Sequence, residues 1–348
     1  MHRALFLAAL GAGGYLAYRA LMPRYEYRGK HAVITGGSRG LGLVLARQLG
    51  AAGARLSICS RDPNELARAL DDLTARGFDA TAVECDATDR GRVREFFAHA
   101  RRQNGPIDVL VNNAGVIRVG PADLMGADDF EQSLKTHFWA AFNTCSEALP
   151  EMKARRAGRI VNVASVGGKV AVPHLLPYST GKFALVGYST GLRAEVAADG
   201  VVVTTVSPGL MRTGTHLNAE FKGRAEEEYA WFALGNGLPG LSAGVESAAA
   251  QILAACARGD GELVLGLPAK LAVAATALAP NLTAAALALV NRLLLPESGG
   301  DRTAVARGRD SRGKLRPAFT RLTDRAAVAN NEVHAVPVPP PLPTASPF

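Results

Sequence analysis

From Lys30 to Gly266 the chain alternates short aliphatic and β-branched runs with longer stretches whose apolar positions recur every three or four residues. The runs HAVIT (31–35), ARLSICS (54–60), ATAVEC (80–85), IDVLVN (107–112), RIVNVAS (159–165), VVVTTVS (201–207) and ELVLG (262–266) predict strands buried on both faces. Helical periodicity fills 40–52, 64–76, 89–103, 127–153, 179–198 and 243–257. Strand strictly alternating with helix requires right-handed crossovers, so the pattern predicts an α/β fold. This is a doubly wound parallel sheet of Rossmann type, with about seven strands and helices on both faces. Ligands on such a sheet bind at the carboxyl ends of the strands.

The flanks break this pattern. Ala4 to Tyr18 is uncharged and followed by Arg19, Arg24, Arg28 and Lys30, which marks residues 1–27 as a membrane-anchor segment. Snorkelling of Arg19 extends the apolar stretch to Met22, and the basic residues after it place the following domain on the cytoplasmic side. A cleaved signal peptide and a packing helix are the alternatives. After the α/β domain (28–266), Leu271 to Val290 carries no charge and has the length of a span. Pro280, Asn281 and Thr283 interrupt it, which predicts a 267–298 extension of two short helices lying on a membrane or a second subunit. The final segment, 299–348, is basic and then proline-rich (VPVPPPLP, 336–343), a composition expected to lack structure.

A chain of 348 residues, 48% hydrophobic and 20% charged, can bury a large core. Its formal charge of +8 does not indicate a nucleic-acid partner: Asp301 to Arg325 holds eight Lys/Arg against three Asp, so most of the excess belongs to the tail. Cys59, Cys85, Cys145 and Cys256 are too scattered for a disulfide framework or a metal site. They read as buried apolar residues of a protein in a reducing compartment, and no metal is expected.

Candidate chemistry falls at the strand ends. TGGSRGLG (35–42) joins the first strand to the first helix, and Gly36, Gly40 and Gly42 leave room for a tight turn, an approaching pyrophosphate and helix-on-strand packing. The helix amino terminus then faces the phosphates. An acidic residue ending the second strand would bind the ribose of NAD, but here Cys59 and Ser60 precede Arg61, and Arg39 lies within the glycine loop. Two guanidinium groups suit a 2′-phosphate, so the cofactor expected is NADP(H); Asp62 comes one place late for the NAD role. Asp86 ends the third strand within reach of adenine, and Asn112-Asn113-Ala114-Gly115 ends the fourth.

Tyr178 and Lys182 lie four residues apart on one helix face. A neighbouring ammonium favours phenolate, so the lysine is expected to lower the tyrosine pKa from its usual value near 10. Ser165, thirteen positions earlier, ends the fifth strand with a hydroxyl that can polarise a carbonyl.

With TGGSRGLG, NNAG, Ser165, YSTGK (178–182) and SPGLMRT (207–213) in this order, residues 28–266 resemble the short-chain dehydrogenase/reductase family. The resemblance implies an NADP(H)-dependent oxidoreductase interconverting a carbonyl and a secondary alcohol, with Ser165, Tyr178 and Lys182 catalytic. It further implies that Gly36, Ser38, Arg39, Gly40 and Gly42 contact the dinucleotide, Arg61 its 2′-phosphate, and Asp86 and Asn112 its adenosine half, with Pro208, Gly209 and Thr213 bordering the nicotinamide. A homo-oligomer is also implied. One position departs from the family: a relay asparagine is common where His137 stands, and histidine can also hydrogen-bond the relay water. His174 is read as a wall or solvent residue.

The 211–241 segment should cover the substrate pocket, and its Phe221, Tyr229, Trp231 and Phe232 suit an apolar or lipid-like ketone. The alternative function is an NADP(H)-binding scaffold or redox sensor with little turnover, against which the complete Ser-Tyr-Lys set argues.

Overall fold

The computed structural model describes residues 24–301, 303–313 and 315–333. In chain order the α/β unit begins β1 (His31–Thr35), α1 (Gly40–Ala51), β2 (Arg55–Ser60), α2 (Pro63–Ala75), β3 (Ala80–Glu84), α3 (Arg90–Asn104) and β4 (Val109–Asn112). It continues with β5 (Arg118–Val119), α4 (Ala127–Leu134), α5 (Ala140–Ala154), β6 (Gly158–Val163), α6 (Leu176–Val196) and β7 (Val201–Pro208). Then follow β8 (Met211–Arg212), α7 (Thr215–Asn218), β9 (Glu220–Lys222), α8 (Ala225–Gly237), β10 (Ala243–Gly244), α9 (Val245–Arg258) and β11 (Glu262–Leu265). The extension holds α10 (Leu267–Leu278) and α11 (Pro280–Leu294), and the tail holds β12 (Val305–Arg307) and α12 (Arg321–Ala329).

Seven strands form one sheet in the order β11-β7-β6-β4-β1-β2-β3, with every pairing parallel. Alternate residues of each strand feed opposite layers. Ala32, Ile34, Leu56, Ile58, Val109 and Val111 pack with Leu45 and Leu49 of α1, Leu66 and Leu73 of α2, and Ile252 of α9. Val33, Cys59, Leu110, Ile160 and Val203 pack on the other side with Phe96 and Phe97 of α3, Met152 of α5 and Val196 of α6. Full burial of such a side chain stabilises by about 1.5–3 kcal/mol, which fixes the register of each strand. The helices begin where the sequence supplies acceptors: Asp62 caps α2 through the amides of Asn64 and Glu65, at 2.9 and 3.0 Å, and Asp89 caps α3. All four cysteines are buried and unpaired.

Two expectations change, over 127–153 and in the tail, and that of two helices in the extension holds. The single helix read over 127–153 is interrupted by a π-helical turn, Lys135–Trp139, that carries His137. The extension is two helices meeting at Ala279–Pro280, as the proline predicts, and among the described residues no helix is long and apolar enough to cross a membrane. The tail is not without structure up to residue 333: β12 pairs antiparallel with β9, and α12 leads back to the glycine loop. The 4–22 segment and the 336–343 proline run lie outside the described residues.

Candidate active site

A cavity of about 730 Å³ opens at the carboxyl end of the sheet and reaches from the glycine loop to Ser165, Tyr178 and Lys182. It straddles β1 and β4, where the strand order reverses, the crevice at which such sheets bind ligands. Gly36, Ser38, Arg39, Gly40, Asp86, Pro208, Gly209 and Thr213 all line it. No side chain caps the start of α1, although the Asn330 carbonyl takes the Gly40 amide, so an anion there would be met by the amides beyond Gly40. Gly40 stands in the left-handed region with φ +54°. Gly42 is set back from the cavity: a Cβ there would fall 2.0 Å from the Gly36 carbonyl oxygen, so it serves helix-on-loop packing rather than cofactor contact.

Asn112 is likewise not at the cavity. It ends a buried polar ladder, donating to Asn162 at 2.8 Å and accepting from Thr144 at 2.5 Å. Its strand position turns it into the core, and the next residue takes the place expected of it: Asn113 lines the cavity and donates to the Gly36 carbonyl at 3.0 Å, locking β4 to the glycine loop. On the adenosine side Arg61 is exposed at the rim, while Arg39 is paired with Glu65 at 2.9 Å and donates to Asn218 at 3.0 Å. Of these two guanidinium groups, Arg61 is the one unencumbered for a 2′-phosphate, with Arg39 shared. Asp86 turns its carboxylate on the Thr88 amide at 2.9 Å.

At the other end, Ser165 accepts from the Gly167 amide at 3.0 Å, which leaves its hydroxyl able to donate into the cavity. Tyr178 keeps part of its surface open to the cavity, yet burial pushes its pKa up to about 12, against a smaller lowering by Ser165. The lysine does not depress it as the i,i+4 spacing suggested. Lys182 is itself buried, lies 5.8 Å from the phenol ring centre, donates to the Val163 carbonyl at 2.9 Å, and is held down to about 7 by desolvation. Burial dominates both groups.

His137 packs edge-on to Tyr178 with ring centres 5.2 Å apart. Its Nε2 lies 2.9 Å from the Val116 carbonyl, which can only accept, so the proton is on Nε2 and Nδ1 is the acceptor. Burial and then the Lys182 charge hold His137 well below the usual imidazole pKa, so the ring is neutral. Nδ1 is buried and bonded to no described protein group. A Cβ on Gly115 would lie 3.3 Å from that nitrogen and 3.8 Å from the Lys182 ammonium, so both groups flank the same spot. His174, by contrast, is outside the cavity, bonded to the buried Glu228 at 2.7 Å.

Of the aromatics read as pocket residues, Trp231 and Phe232 line the cavity with Val172, Leu175 and Met211. Phe221 and Tyr229 do not line the cavity; they are buried behind Phe232 and Leu175 in the same apolar cluster.

The sequence reading missed a third wall. Asn330, Asn331 and Glu332, following α12, lie on the glycine loop: the Gly40 amide donates to the Asn330 carbonyl at 2.9 Å, and Asn331 donates to the carbonyls of Ser38 and Glu65, both at 2.8 Å. The Glu332 carboxylate accepts from the Gly214 amide, and a Cβ on Gly40 would stand 2.8 Å from it. Burial raises the Glu332 pKa to about 7, opposed by that amide and by Arg39. The only sequence signal was the amphipathic spacing of Thr323, Ala327 and Asn330, obscured by the basic composition around it.

A parallel sheet with a glycine loop at its switch point and a Ser-Tyr-Lys cluster across one cavity defines a nicotinamide-dependent oxidoreductase. Residues 30–222 match the short chain dehydrogenase family model. The chain is 39% identical to oxidoreductase UcpA of Escherichia coli over 186 residues, 53% of this chain and 70% of the relative. Among solved structures, it is similar to a gluconate 5-dehydrogenase of Burkholderia cenocepacia in complex with NADP and tartrate, at 28% identity and a TM-score of 0.62, covering 71% of this chain and 98% of the other. It is equally similar to an actinorhodin polyketide ketoreductase with NADPH, at 28% identity and a TM-score of 0.61, covering 70% and 98%. The protein belongs to the short-chain dehydrogenase/reductase family and is an oxidoreductase of carbonyl and alcohol groups using an NAD(P)-type cofactor.

Proposed function

We propose that the protein uses NADPH to reduce an apolar or lipid-like ketone to a secondary alcohol, working as a homo-oligomer held at a membrane by residues 4–22 with its catalytic domain on the cytoplasmic side. The observation that carries the chemistry is the meeting of Ser165, Tyr178 and Lys182 in the cavity that begins at the glycine loop. The residues fit a dinucleotide: the start of α1, free of any side-chain cap beyond the Gly40 amide that the Asn330 carbonyl takes, would receive the pyrophosphate, and Arg61 with Arg39 the 2′-phosphate. When bound, the nicotinamide supplies the hydride. Trp231, Phe232, Val172 and Leu175 support an apolar substrate, and the likeness to an actinorhodin polyketide ketoreductase supports reduction of a ketone.

Ser165 and Tyr178 hydrogen-bond the carbonyl oxygen, and Tyr178 gives up its proton as charge builds there. A phenol with a pKa near 12 holds its proton throughout the neutral range and can donate it. Lys182 and the lone pair of His137 Nδ1 border the spot through which a water can return a proton to Tyr178. The test is NADPH oxidation across ketones and 3-oxoacyl lipids, with NADH as comparison and pH varied. Turnover is expected to prefer NADPH. The kcat/KM is expected to fall as pH rises through about 7, because the cationic Lys182 that supplies the replacement proton is present below that pH and lost above it. Tight NADPH binding without turnover of any carbonyl would contradict the proposal and favour the scaffold reading.

Glu332 makes a further prediction. Its carboxylate occupies the side of Gly40 by which a pyrophosphate approaches. Above about pH 7, where that carboxylate is ionised, a second anion beside it is repelled, by about 1 kcal/mol in water for charges about 4 Å apart and more when partly buried. Glu332→Gln is therefore expected to tighten NADPH about tenfold or less, while adenosine 2′-monophosphate, which has no pyrophosphate, binds as before. Fluorescence titration measures both; weaker NADPH binding in the variant would mean that the arm holds the dinucleotide instead of opposing it.

A further inference from the structure

Two contacts tie the helical extension to the body near its ends. At one foot, Ala269 of α10 is buried against the cavity loop, where a Cβ on Gly209 would lie 2.9 Å from the Ala269 methyl. At the other, Ser298 donates to Asp123 at 2.5 Å just beyond α11. Apart from Ala269 at the first foot, neither helix has a buried residue. The shielded positions, Ala272, Val273, Thr276, Thr283 and Leu287, fall on one stripe of each helix. The opposite stripes carry Leu267, Leu271 and Leu278, then Leu282, Leu289 and Leu293, each more than half exposed and Leu278 at 86%. Stripes of large aliphatic side chains left in water cost about 1.5–3 kcal/mol for each residue that burial would recover.

Charge identifies the partner. From Leu271 to Asn291 no residue is charged, and the bordering residues are both cations, Lys270 near the first foot and Arg292 near the second; the nearest acids in sequence are Glu262 and Glu297. A protein interface of this size would carry a rim of mixed sign. The arch's own helices carry cations alone, Lys270 and Arg292, with Asp123 and Glu297 set back at the second foot; such an apolar arch matches a bilayer, whose interior accepts the leucines and whose anionic headgroups accept Lys270 and Arg292. At 1.5 Å per residue, helices of 12 and 15 residues reach about 18–22 Å, too short to cross a hydrocarbon core of about 30 Å.

We propose that α10 and α11 form an arch that inserts its leucine stripes into one leaflet of an anionic membrane, with Lys270 and Arg292 at the headgroups. The arch springs from the carboxyl end of the sheet beside Gly209, the cavity's own end. Tyr25, where the chain enters the domain, is tied to Ala257 at the end of α9, on the sheet's amino-terminal side. The arch is thus a separate attachment from residues 4–22, and it brings the bilayer to the cavity mouth. The insertion rests on the arch alone and not on the proposed reaction.

The test uses the full chain carrying Leu278→Cys labelled with an environment-sensitive dye, the native cysteines being buried. Exposed Leu278 tolerates the change without loss of packing. The control carries the same dye on Ala67→Cys, exposed on α2. Vesicles of phosphatidylcholine with phosphatidylglycerol are expected to raise and blue-shift emission at 278 several-fold, with quenching by lipid carrying a mid-chain spin label, and to leave the dye at 67 unchanged. Lys270→Glu with Arg292→Glu should weaken the response on anionic vesicles. The proposal is overturned if the 278 dye stays water-exposed on vesicles that bind the protein, or if it is shielded without lipid in proportion to protein concentration, which would assign the arch to a second copy of the chain.

Discussion

Tyr178→Phe is expected to lower reductase turnover by about 10²- to 10⁴-fold while NADPH binds as tightly as to the parent. The change deletes one hydroxyl and keeps the ring that packs against His137 at 5.2 Å, so the fold and the cavity remain. What is lost is, among the described residues, the only phenol placed beside Ser165 to donate a proton. Stopped-flow measurement of NADPH oxidation against a working ketone separates the two effects, because binding and turnover are read in one experiment. Parent-like turnover would show that the proton comes from another group, and the buried Lys182 would be the next to examine.

Arg61→Asp is expected to raise the KM for NADPH by about ten- to a hundredfold, the loss of a charge-assisted bond of about 1.5–3 kcal/mol, and to leave or improve NADH. The structure selects Arg61 over Arg39 because Arg39 is already committed to Glu65 and Asn218, whereas Arg61 stands exposed at the rim. An aspartate there restores the acceptor that a ribose diol prefers. Equal losses with both cofactors would instead mean that Arg61 supports the loop and does not read the phosphate.

Much of this was legible in the chain because the relevant constraints are local. Strands buried on both faces leave uninterrupted aliphatic runs, and the glycine loop must follow the first of them. What escaped depended on contacts distant in sequence. Asn112 and Asn113 cannot be told apart by composition; the end of β4 decides that one joins the Thr144–Asn162 ladder and the other the cavity. The π turn at 135–139 is invisible in periodicity because it adds one residue to an otherwise continuous helix, yet it carries His137 to Tyr178. The Tyr178–Lys182 spacing correctly put both groups on one face, but spacing says nothing of desolvation, and desolvation raises the phenol and lowers the ammonium. Glu332 reaches Gly214 across 118 positions, and no local pattern marks that contact.

Transfer of deuterium from the cofactor to the product tests the central claim most directly. With NADPH deuterated at both C4 positions and a ketone that the full-length protein turns over, the proposed chemistry predicts an alcohol bearing one deuterium on the former carbonyl carbon, seen by mass spectrometry and absent in Tyr178→Phe. Product alcohol without deuterium, or with label that exchanges from solvent, would contradict direct hydride transfer in this cavity.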